Sequence, residues 1–280
     1  MSTNQPAKLL SGVKTIIAVA SGKGGVGKST VAVNMAMVLA ETGASVGLLD
    51  TDIYGPSLPL MMGICEKPTG NPRTGLLTPL EKHGIKLMSM GFVSDEKTAV
   101  IWRGPMVHKM ITTFMGQVDW GTLDYLVMDL PPGTGDAQLT ITQTAPLSGA
   151  VIVTTPQDVS LIDARKGLQM FQQVNVPVLG IVENMSYFVC DACDKRHEIF
   201  RHGGGRRASE ELGVPFLGEV PLDPRVTLGG DQGAPVVISA PDSPASQALR
   251  KVVGNLIVQL EATAAQRAPL PTLDMTGIGK

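Results

Sequence analysis

The chain has 280 residues, and its 23 Lys and Arg against 25 Asp and Glu give a formal net charge of −2. This balance argues against a positive surface over the whole chain that would bind nucleic acid. No apolar run reaches the roughly 20 residues that a membrane-spanning helix needs. The N-terminus contains no apolar signal core, and three cysteines are an odd number that is not typical of a secreted disulfide framework, so we expect a cytoplasmic protein.

Short runs rich in Val, Ile and Leu alternate along the chain with helical patterns. Strands without polar alternation belong in sheets that are covered on both faces. Strands that alternate with helices predict right-handed βαβ units. The predicted fold class is therefore α/β, with a mostly parallel sheet and helices on both faces. The predicted strands span residues 15–20, 46–50, 85–90, 125–130, 150–155, 178–184 and 216–220, and the first predicted helix spans residues 29–40.

The remaining segments complete one predicted domain, residues 13–267. Residues 59–79 are rich in Gly and Pro and predict a long irregular excursion. A later helical pattern places Met106, Met110, Ile111 and Phe114 on one face, which predicts packing in the core rather than a ligand site. The last helix is expected to end near Arg267, and residues 1–12 and 268–280 are expected to be flexible.

A glycine-rich loop follows the first predicted strand and precedes the first predicted helix. It fits the phosphate-binding pattern G-x-x-x-x-G-K-S/T at every required position. Its glycines let backbone N–H groups surround phosphates, and the start of the helix adds its positive dipole end. We expect Lys28 to contact the terminal phosphates, Ser29 to bind Mg²⁺, and Thr30 to bond the α-phosphate. The loop residues are Gly22, Lys23, Gly24, Gly25, Val26, Gly27, Lys28 and Ser29.

Acidic residues at two strand ends fit the same chemistry. Asp129 ends an apolar strand and is placed to hold Mg²⁺ through water. Gly133 and Gly135 follow it and would let their loop move when the γ-phosphate leaves. Asp50 and Asp52 follow the second strand, where a carboxylate can orient the attacking water. Asp52 is the stronger catalytic candidate, while Asp50 fits a turn or cap residue equally well.

Two of the three cysteines form a Cys190-Asp-Ala-Cys193 pair. A redox dithiol is disfavoured, because the pair follows a late strand rather than opening an early helix. Zinc would need both His197 and His202, or a second chain, to reach four ligands. An iron–sulfur cluster needs four thiolates, which a two-fold dimer would supply. Spacing alone leaves zinc and cluster equally favoured. Cys65 is predicted to be a small packing residue, because free cysteines are commonly buried.

Five segments together give the sequence a recognisable pattern: SGKGGVGKST, DTDIYGPS, MDLPPGTGD, ENMSYFVCDAC and HGGG. They resemble the Mrp (ApbC) family of iron–sulfur cluster carrier ATPases, over about residues 13–240. This family belongs to the deviant Walker-A group of P-loop ATPases, which also includes ParA, MinD and the nitrogenase iron protein.

The resemblance implies roles for the residues around the phosphates. Lys23 would be the second lysine of the deviant loop, which reaches across a homodimer to the partner's nucleotide. Asp52 would orient the attacking water in the first switch. Asp129 would be the Walker-B acid, and residues 133–136 would form the second switch. Asn184 would read the adenine edge, and the segment Pro221–Asp223, with Pro221 and Asp223 at its ends, would lie close to the base.

The resemblance also implies a function. The chain would be a slow ATP hydrolase acting as a homodimer, with a [4Fe–4S] cluster bridging the two subunits through Cys190 and Cys193. It would receive clusters from an assembly scaffold and pass them to apoproteins, and it would bind neither nucleic acid nor membrane. His197 and His202 would then be loop residues, and the arginines Arg201, Arg206 and Arg207 a solvated surface.

Two other functions fit the same group of ATPases. One is a positioning or partition ATPase like ParA or MinD, which the cysteine pair and the lack of a basic amphipathic tail disfavour. The other is an ATP-driven electron donor like the nitrogenase iron protein, whose cysteines are placed singly in two loops.

Overall fold

The computed structural model of the chain describes residues 9–52, 55–93 and 104–267. Residues 268–280 of the predicted flexible tail lie outside these ranges, and so do residues 1–8 of the predicted flexible N-terminus. Ile53 and Tyr54 of the DTDIYGPS segment also lie outside them. No helix within the described ranges is both long enough and apolar enough to span a membrane.

The seven predicted strands are all present, with ends that differ by at most two residues from the prediction. Short additional strands form two small hairpins and one edge of the sheet. The twelve strands of the described residues are β1 (Val13–Ala20), β2 (Val46–Asp50), β3 (Thr69–Gly70), β4 (Leu77–Thr78), β5 (Leu80–Lys82), β6 (Ile85–Ser89), β7 (Leu123–Asp129), β8 (Gly149–Thr154), β9 (Val178–Glu183), β10 (Phe188–Val189), β11 (Arg196–His197) and β12 (Phe216–Glu219).

Eight strands form one sheet in the order β12-β9-β8-β1-β7-β2-β6-β5. Every neighbouring pair is parallel except β5 and β6, which are antiparallel at the edge. The predicted fold class is confirmed, because parallel strands of this kind require helical crossovers that cover both faces.

Helices connect the strands and pack on both faces of the sheet. One core lies under α1, α8 and α9, and the other under α3, α4, α5 and α6. The helices of the described residues are α1 (Lys28–Glu41), α2 (Leu58–Met62), α3 (Gly104–Gly116), α4 (Asp136–Thr144), α5 (Asp158–Gln173), α6 (Gly204–Leu212), α7 (Pro224–Asp231), α8 (Val236–Ser239) and α9 (Pro244–Arg267).

Two sequence predictions were wrong in part. The segment 59–79 is not wholly irregular, since it contains most of α2 and a hairpin of β3 with β4. Met106 does not belong to the core, because it is 47% exposed, whereas Ile111 and Phe114 of the same helix are buried. The buried stripe of α3 is formed by Val107, Ile111, Phe114 and Met115, and Met106 lies beside this stripe.

Candidate nucleotide and cysteine sites

The register of the parallel strands brings the predicted phosphate loop and acidic residues to one edge of the sheet. Asp129 is level with Val19 of β1 on one side and with Asp50 of β2 on the other. The glycine-rich loop leaves β1 directly after Ala20 and enters α1 at Lys28. The carboxyl ends of parallel strands are where open α/β sheets place their ligands, so the predicted nucleotide residues meet where the fold expects them.

Close packing explains why the loop needs glycine at two of its positions. A Cβ on Gly22 would lie 2.2 Å from the backbone of Asp163 in α5. Gly27 has φ +78°, and a Cβ there would lie 2.2 Å from Nδ2 of Asn184. That amide donates a hydrogen bond of 2.9 Å to the Val26 carbonyl. The loop is therefore held by α5 on one side and by the end of β9 on the other.

Lys28 and Asp129 form a buried ion pair at the start of α1. Their side chains are only 6% and 5% exposed, and Lys28 Nζ also lies 3.2 Å from Ser29 Oγ. Burial raises the pKa of Asp129, and the ammonium of Lys28 opposes that shift. The lysine, hydroxyl and carboxylate that phosphates and Mg²⁺ would need thus lie within contact of one another.

Asp50 anchors the loop that carries Asp52. Its Oδ1 accepts a hydrogen bond of 2.9 Å from the Asp52 backbone N–H, and its Oδ2 accepts bonds from Ser89 Oγ at 2.8 Å and Leu58 N at 3.4 Å. Burial, together with the nearby charge of Asp129, raises the pKa of Asp50 to about 7. Asp50 thus fixes the turn that carries Asp52. Asp52 is half-buried, its Oδ1 accepts a hydrogen bond of 3.2 Å from Gly55 N, and its charge acts on Asp129.

A cavity of about 250 Å³ lies beside the phosphate loop. Asn184 is buried and lines it together with Thr30. Asp223 also lines it, and its Oδ2 is buried without a hydrogen-bond partner. The residues predicted to lie at the base therefore share one cavity with the phosphate loop. Its lining includes Gly27, Thr30, Asn184, Pro221, Leu222 and Asp223.

Lys23 lies on the outer side of the loop, away from this cavity. It borders an open depression together with Val159, which is 63% exposed, and Ile199, which is 55% exposed. Among the residues that the structure describes, no carboxylate pairs with the Lys23 ammonium. The polar side chains of Gln157, Asp158 and Arg201 also line this depression.

The cysteine pair occupies the turn of a small hairpin outside the main sheet. The hairpin is formed by β10 and β11, with Val189 opposite Arg196. Backbone N–H groups of Ala192 and Cys193, together with the Cys193 thiol, lower the pKa of Cys190. Hydrogen bonds that stabilise a thiolate suit it to metal ligation. Cys193 is exposed and Cys190 is half-buried.

The other residues that the structure describes do not complete a metal site around this pair. Within residues 9–52, 55–93 and 104–267, no three His, Cys, Asp or Glu side chains are grouped to hold a metal ion. His202 instead contacts Ser186 and Arg196. Cys65 is exposed, so its prediction as a buried packing residue was wrong. It lies just beyond α2, past the residues that this helix buries.

The predicted arginine surface consists of side chains that are mostly engaged within the chain. Arg201 pairs with Asp158 at 2.5 Å, and the Arg206 guanidinium lies 4.5 Å from the centroid of the Phe216 ring. Arg207 donates a hydrogen bond of 3.2 Å to the His202 carbonyl. All three arginines are nevertheless exposed, as the interpretation of a solvated surface predicts.

The sequence interpretation missed the role of Glu183, which is buried at the end of β9 and binds the HGGG segment through two backbone N–H groups. It also missed Ser89, which orients Asp50. A charged residue ending an otherwise apolar strand was the available signal for Glu183. Nothing in the local sequence of Ser89 distinguishes it from any other serine.

Comparison with known proteins agrees with this geometry. A model of the ParA family, described as NUBPL iron-transfer P-loop NTPase, matches residues 12–257. The iron-sulfur cluster carrier protein of Synechocystis is 56% identical over 256 residues, which cover 90% of this chain and 72% of that protein.

Two solved structures resemble the fold. A nucleotide-binding protein from Archaeoglobus fulgidus, solved with ADP, is 41% identical and superimposes with a TM-score of 0.72, covering 80% of this chain and 88% of that one. The cell division ATPase MinD of Pyrococcus furiosus is 21% identical with a TM-score of 0.65, covering 87% and 98% of the two chains. The second likeness concerns the fold alone.

Proposed function

The chain belongs to the ParA-type family of NUBPL iron-transfer P-loop NTPases, and from this premise we propose that it is an ATP-hydrolysing homodimer carrying an iron–sulfur cluster. The cluster would be [4Fe–4S], held between the two subunits and transferred to apoproteins. An assembly scaffold would supply it. The relative from Synechocystis that is 56% identical carries the name iron-sulfur cluster carrier protein, which supports the assignment of cluster transfer.

The observation that carries the proposal is the cysteine pair on its hairpin. Cys190 and Cys193 share one turn, Cys193 is exposed, and Cys190 accepts stabilising hydrogen bonds from the backbone of Ala192 and Cys193. The described residues add no further ligand. A [4Fe–4S] cluster requires four thiolates. One chain offers two, and a two-fold axis passing near the hairpin would supply the other two from the same surface of a second copy.

The nucleotide half of the proposal rests on the buried lysine and acids. Ser29 and Asp129 fit the donor set of Mg²⁺, which prefers a hydroxyl, a carboxylate and waters as ligands. Mg²⁺, when bound, would neutralise charge on the β- and γ-phosphates. Lys28, already within contact of Ser29 and Asp129, would turn its ammonium toward those phosphates. Asp52, set by its bond to Asp50, would orient the attacking water.

The homodimer would complete the nucleotide site as well as the cluster site. Lys23 lies at the rim of the loop among exposed apolar residues, and in a dimer it would reach the nucleotide of the partner subunit. The adenine would occupy the cavity lined by Asn184 and by residues 221–223. No specific feature favours a positioning ATPase, since the likeness to MinD extends only to the fold.

Cluster transfer under different nucleotide conditions tests this proposal. Cluster-loaded protein with matched initial occupancy would be mixed with an apoprotein acceptor in the presence of ATP, ADP or no nucleotide. We expect the transfer rates to differ, because ATP and ADP would favour different subunit arrangements, and typical couplings are roughly 5–150-fold. Asp52→Asn should remove any dependence of the transfer rate on ATP hydrolysis. Equal rates in all three conditions would contradict a nucleotide-controlled carrier.

A further inference from the structure

The base of the cysteine hairpin rests on a group of polar side chains that neither nucleotide chemistry nor metal ligation uses. We call this group the hairpin clamp. It contains one buried carboxylate, one half-buried carboxylate, a guanidinium, an imidazole and an aromatic ring. Its members are Tyr187, Glu183, Arg196, His202 and Glu219.

The buried member is Glu183, whose side chain has no solvent exposure. Its Oε1 accepts hydrogen bonds from Ser186 Oγ at 2.6 Å and from Gly203 N at 3.1 Å. Its Oε2 accepts a bond from Gly205 N at the start of α6. A buried carboxylate with this many donors is fixed in place, because losing any of them would leave charge unsatisfied in an apolar surrounding.

The exposed member is Arg196, which is the first residue of β11. Its Nη2 lies 2.8 Å from His202 Nδ1 and 3.1 Å from Glu219 Oε2. Its guanidinium carbon lies 3.7 Å from the centre of the Tyr187 ring. Tyr187 directly precedes β10, the other strand of the hairpin. A single surface ion pair contributes little to stability. Here, however, the Arg196 side chain makes three contacts of different kinds. The backbone of Arg196 also pairs with Val189 across the hairpin.

The clamp and the phosphate loop are both attached to the end of β9. Glu183 is the last residue of that strand, and Asn184, the next residue, donates its side-chain hydrogen bond to Val26 in the phosphate loop. The chain then reaches Cys190 after five further residues. A displacement of Asn184 by a nucleotide would therefore act directly on Glu183, the buried member of the clamp.

We propose that Arg196 and Glu183 are positioning residues, which hold the turn of Cys190 and Cys193 in one orientation relative to the phosphate loop. Through them, binding of a nucleotide beside Asn184 changes the accessibility of the two thiols. Only this second part rests on the proposed function, since it requires a nucleotide in the cavity. The first part concerns the chain without any ligand.

Site-resolved alkylation of the metal-free protein tests both parts. Iodoacetamide labelling of Cys190, Cys193 and Cys65 would be followed by mass spectrometry, without nucleotide, with Mg-ADP, and with a non-hydrolysable ATP analogue. Cys65 is exposed and outside the hairpin, so it serves as an internal reference. In the natural protein we expect nucleotide to change the rates of the hairpin thiols relative to Cys65.

Arg196→Gln should raise the alkylation rates of both hairpin thiols in the absence of nucleotide. The ratio of the rates with and without nucleotide should approach 1. Residues within such a network typically change coupling by roughly 2- to 30-fold. The matched control is Arg201→Gln, which removes an exposed arginine paired with the equally exposed Asp158 and should leave all rates unchanged. Nucleotide affinity should be the same in both variants, which separates loss of positioning from loss of folding.

Unchanged hairpin-thiol rates in Arg196→Gln would overturn the proposal. Should this variant fail to fold, Glu219→Gln decides instead, because it removes a partner of Arg196 without altering the hairpin, and it should give the same change in smaller measure. If the natural protein binds no nucleotide, the proposed function fails, while the nucleotide-free comparison still decides whether the clamp positions the thiols.

Discussion

The phosphate loop and the cysteine hairpin are built in different ways. The phosphate loop lies between β1 and α1, and its partner Asp129 is fixed by ladder pairing on both sides. The hairpin has strands of only two residues each, and among the described residues they pair with no strand of the main sheet. A single bridge joins Phe188 to Leu222, which lies beyond the end of β12. One site is therefore set by the sheet, whereas the other is attached outside it, by two backbone hydrogen bonds to Val220 and Leu222 and by side-chain contacts at its base.

This difference suggests a division of labour. A site set by buried strands keeps its geometry, which hydrolysis requires, because stabilising donors must be in place before the reaction. A site attached through a few polar contacts can shift by a small amount at low free-energy cost. That property suits a ligand set that must both hold a cluster and release it. Changes in the two regions should therefore have separable effects.

The largest expected effect is at the hairpin. Replacing either Cys190 or Cys193 by Ala should abolish cluster binding, because four thiolates are required and a dimer of such a variant offers two. Nucleotide affinity should equal that of the cluster-free natural protein, since the sheet builds the nucleotide site. Iron and sulfide analysis together with equilibrium nucleotide binding checks both statements. Cys65→Ala is the control and should retain the cluster, and a loss of nucleotide binding in the hairpin variants would break the separation.

The corresponding change in the phosphate site is Lys28→Ala. We expect ATP hydrolysis to fall below detection, because the variant loses the charge that meets the β- and γ-phosphates. Cysteine ligation of the cluster should persist. Lys14→Ala, which breaks an exposed pair with Asp124, is the matched control and should hydrolyse normally. Steady-state phosphate release measures this, and hydrolysis at the natural rate would disprove the phosphate assignment.

Lys23→Ala sharpens the distinction between the subunit's own site and that of its partner. Nucleotide binding should be largely retained, while hydrolysis should fall by roughly 10²–10³-fold, the loss typical of removing one transition-state donor. Mixing this variant with Lys28→Ala should restore some activity, because one composite site would then have both lysines intact. Normal hydrolysis by Lys23→Ala alone would show that this lysine does not act across the dimer.

A smaller effect concerns stability and pH in the phosphate region. The pKa of Asp50 is raised to about 7, mainly by burial, so the folded chain holds a proton that the unfolded chain releases at lower pH. The stability contribution is fully present below the unfolded pKa near ~4 and is lost as pH rises to about 7, with a slope of up to ~1.4 kcal/mol per pH unit. Urea unfolding should show that Asp50→Asn removes this slope.

Asp124 provides the comparison of opposite sign. Its bonds with Lys14 and Ser45 lower its pKa, so its contribution is present above the unfolded pKa and is lost as pH falls below it. Asp124→Asn should therefore reduce the loss of stability in acid without affecting the range near neutral pH.

For Asp50, the contradicting result is a pH profile of stability that is unchanged in Asp50→Asn. It would mean that the Asp50 carboxyl does not hold the buried proton.

The sequence predicted the phosphate region well because its rules are local. A buried strand, a glycine-rich turn and a helix start follow one another along the chain, and parallel pairing then places Asp50 and Asp129 beside the loop. Apolar runs defined the seven main strands for the same reason. The shared cavity of Asn184 with the segment 221–223 followed from the family resemblance and not from any local rule.

The hairpin region was less predictable because long-range contacts define it. Arg196 and Glu219 are 23 residues apart, and Glu183 binds backbone groups of the HGGG segment that no periodicity links to it. The exposure of Cys65 and Met106 was likewise not predictable from residue type. Residue preference predicts burial of both types, but only the packing of the fold decides which members of a type are covered.

In the proposed dimer, one cluster is shared between two copies of the chain through the pair Cys190 and Cys193. Native mass spectrometry after anaerobic reconstitution with iron and sulfide, with metal analysis of the same sample, tests it most directly. We expect a species of two chains with four iron and four sulfide ions, absent from Cys193→Ala. A single chain that holds one zinc ion and no iron would contradict the account.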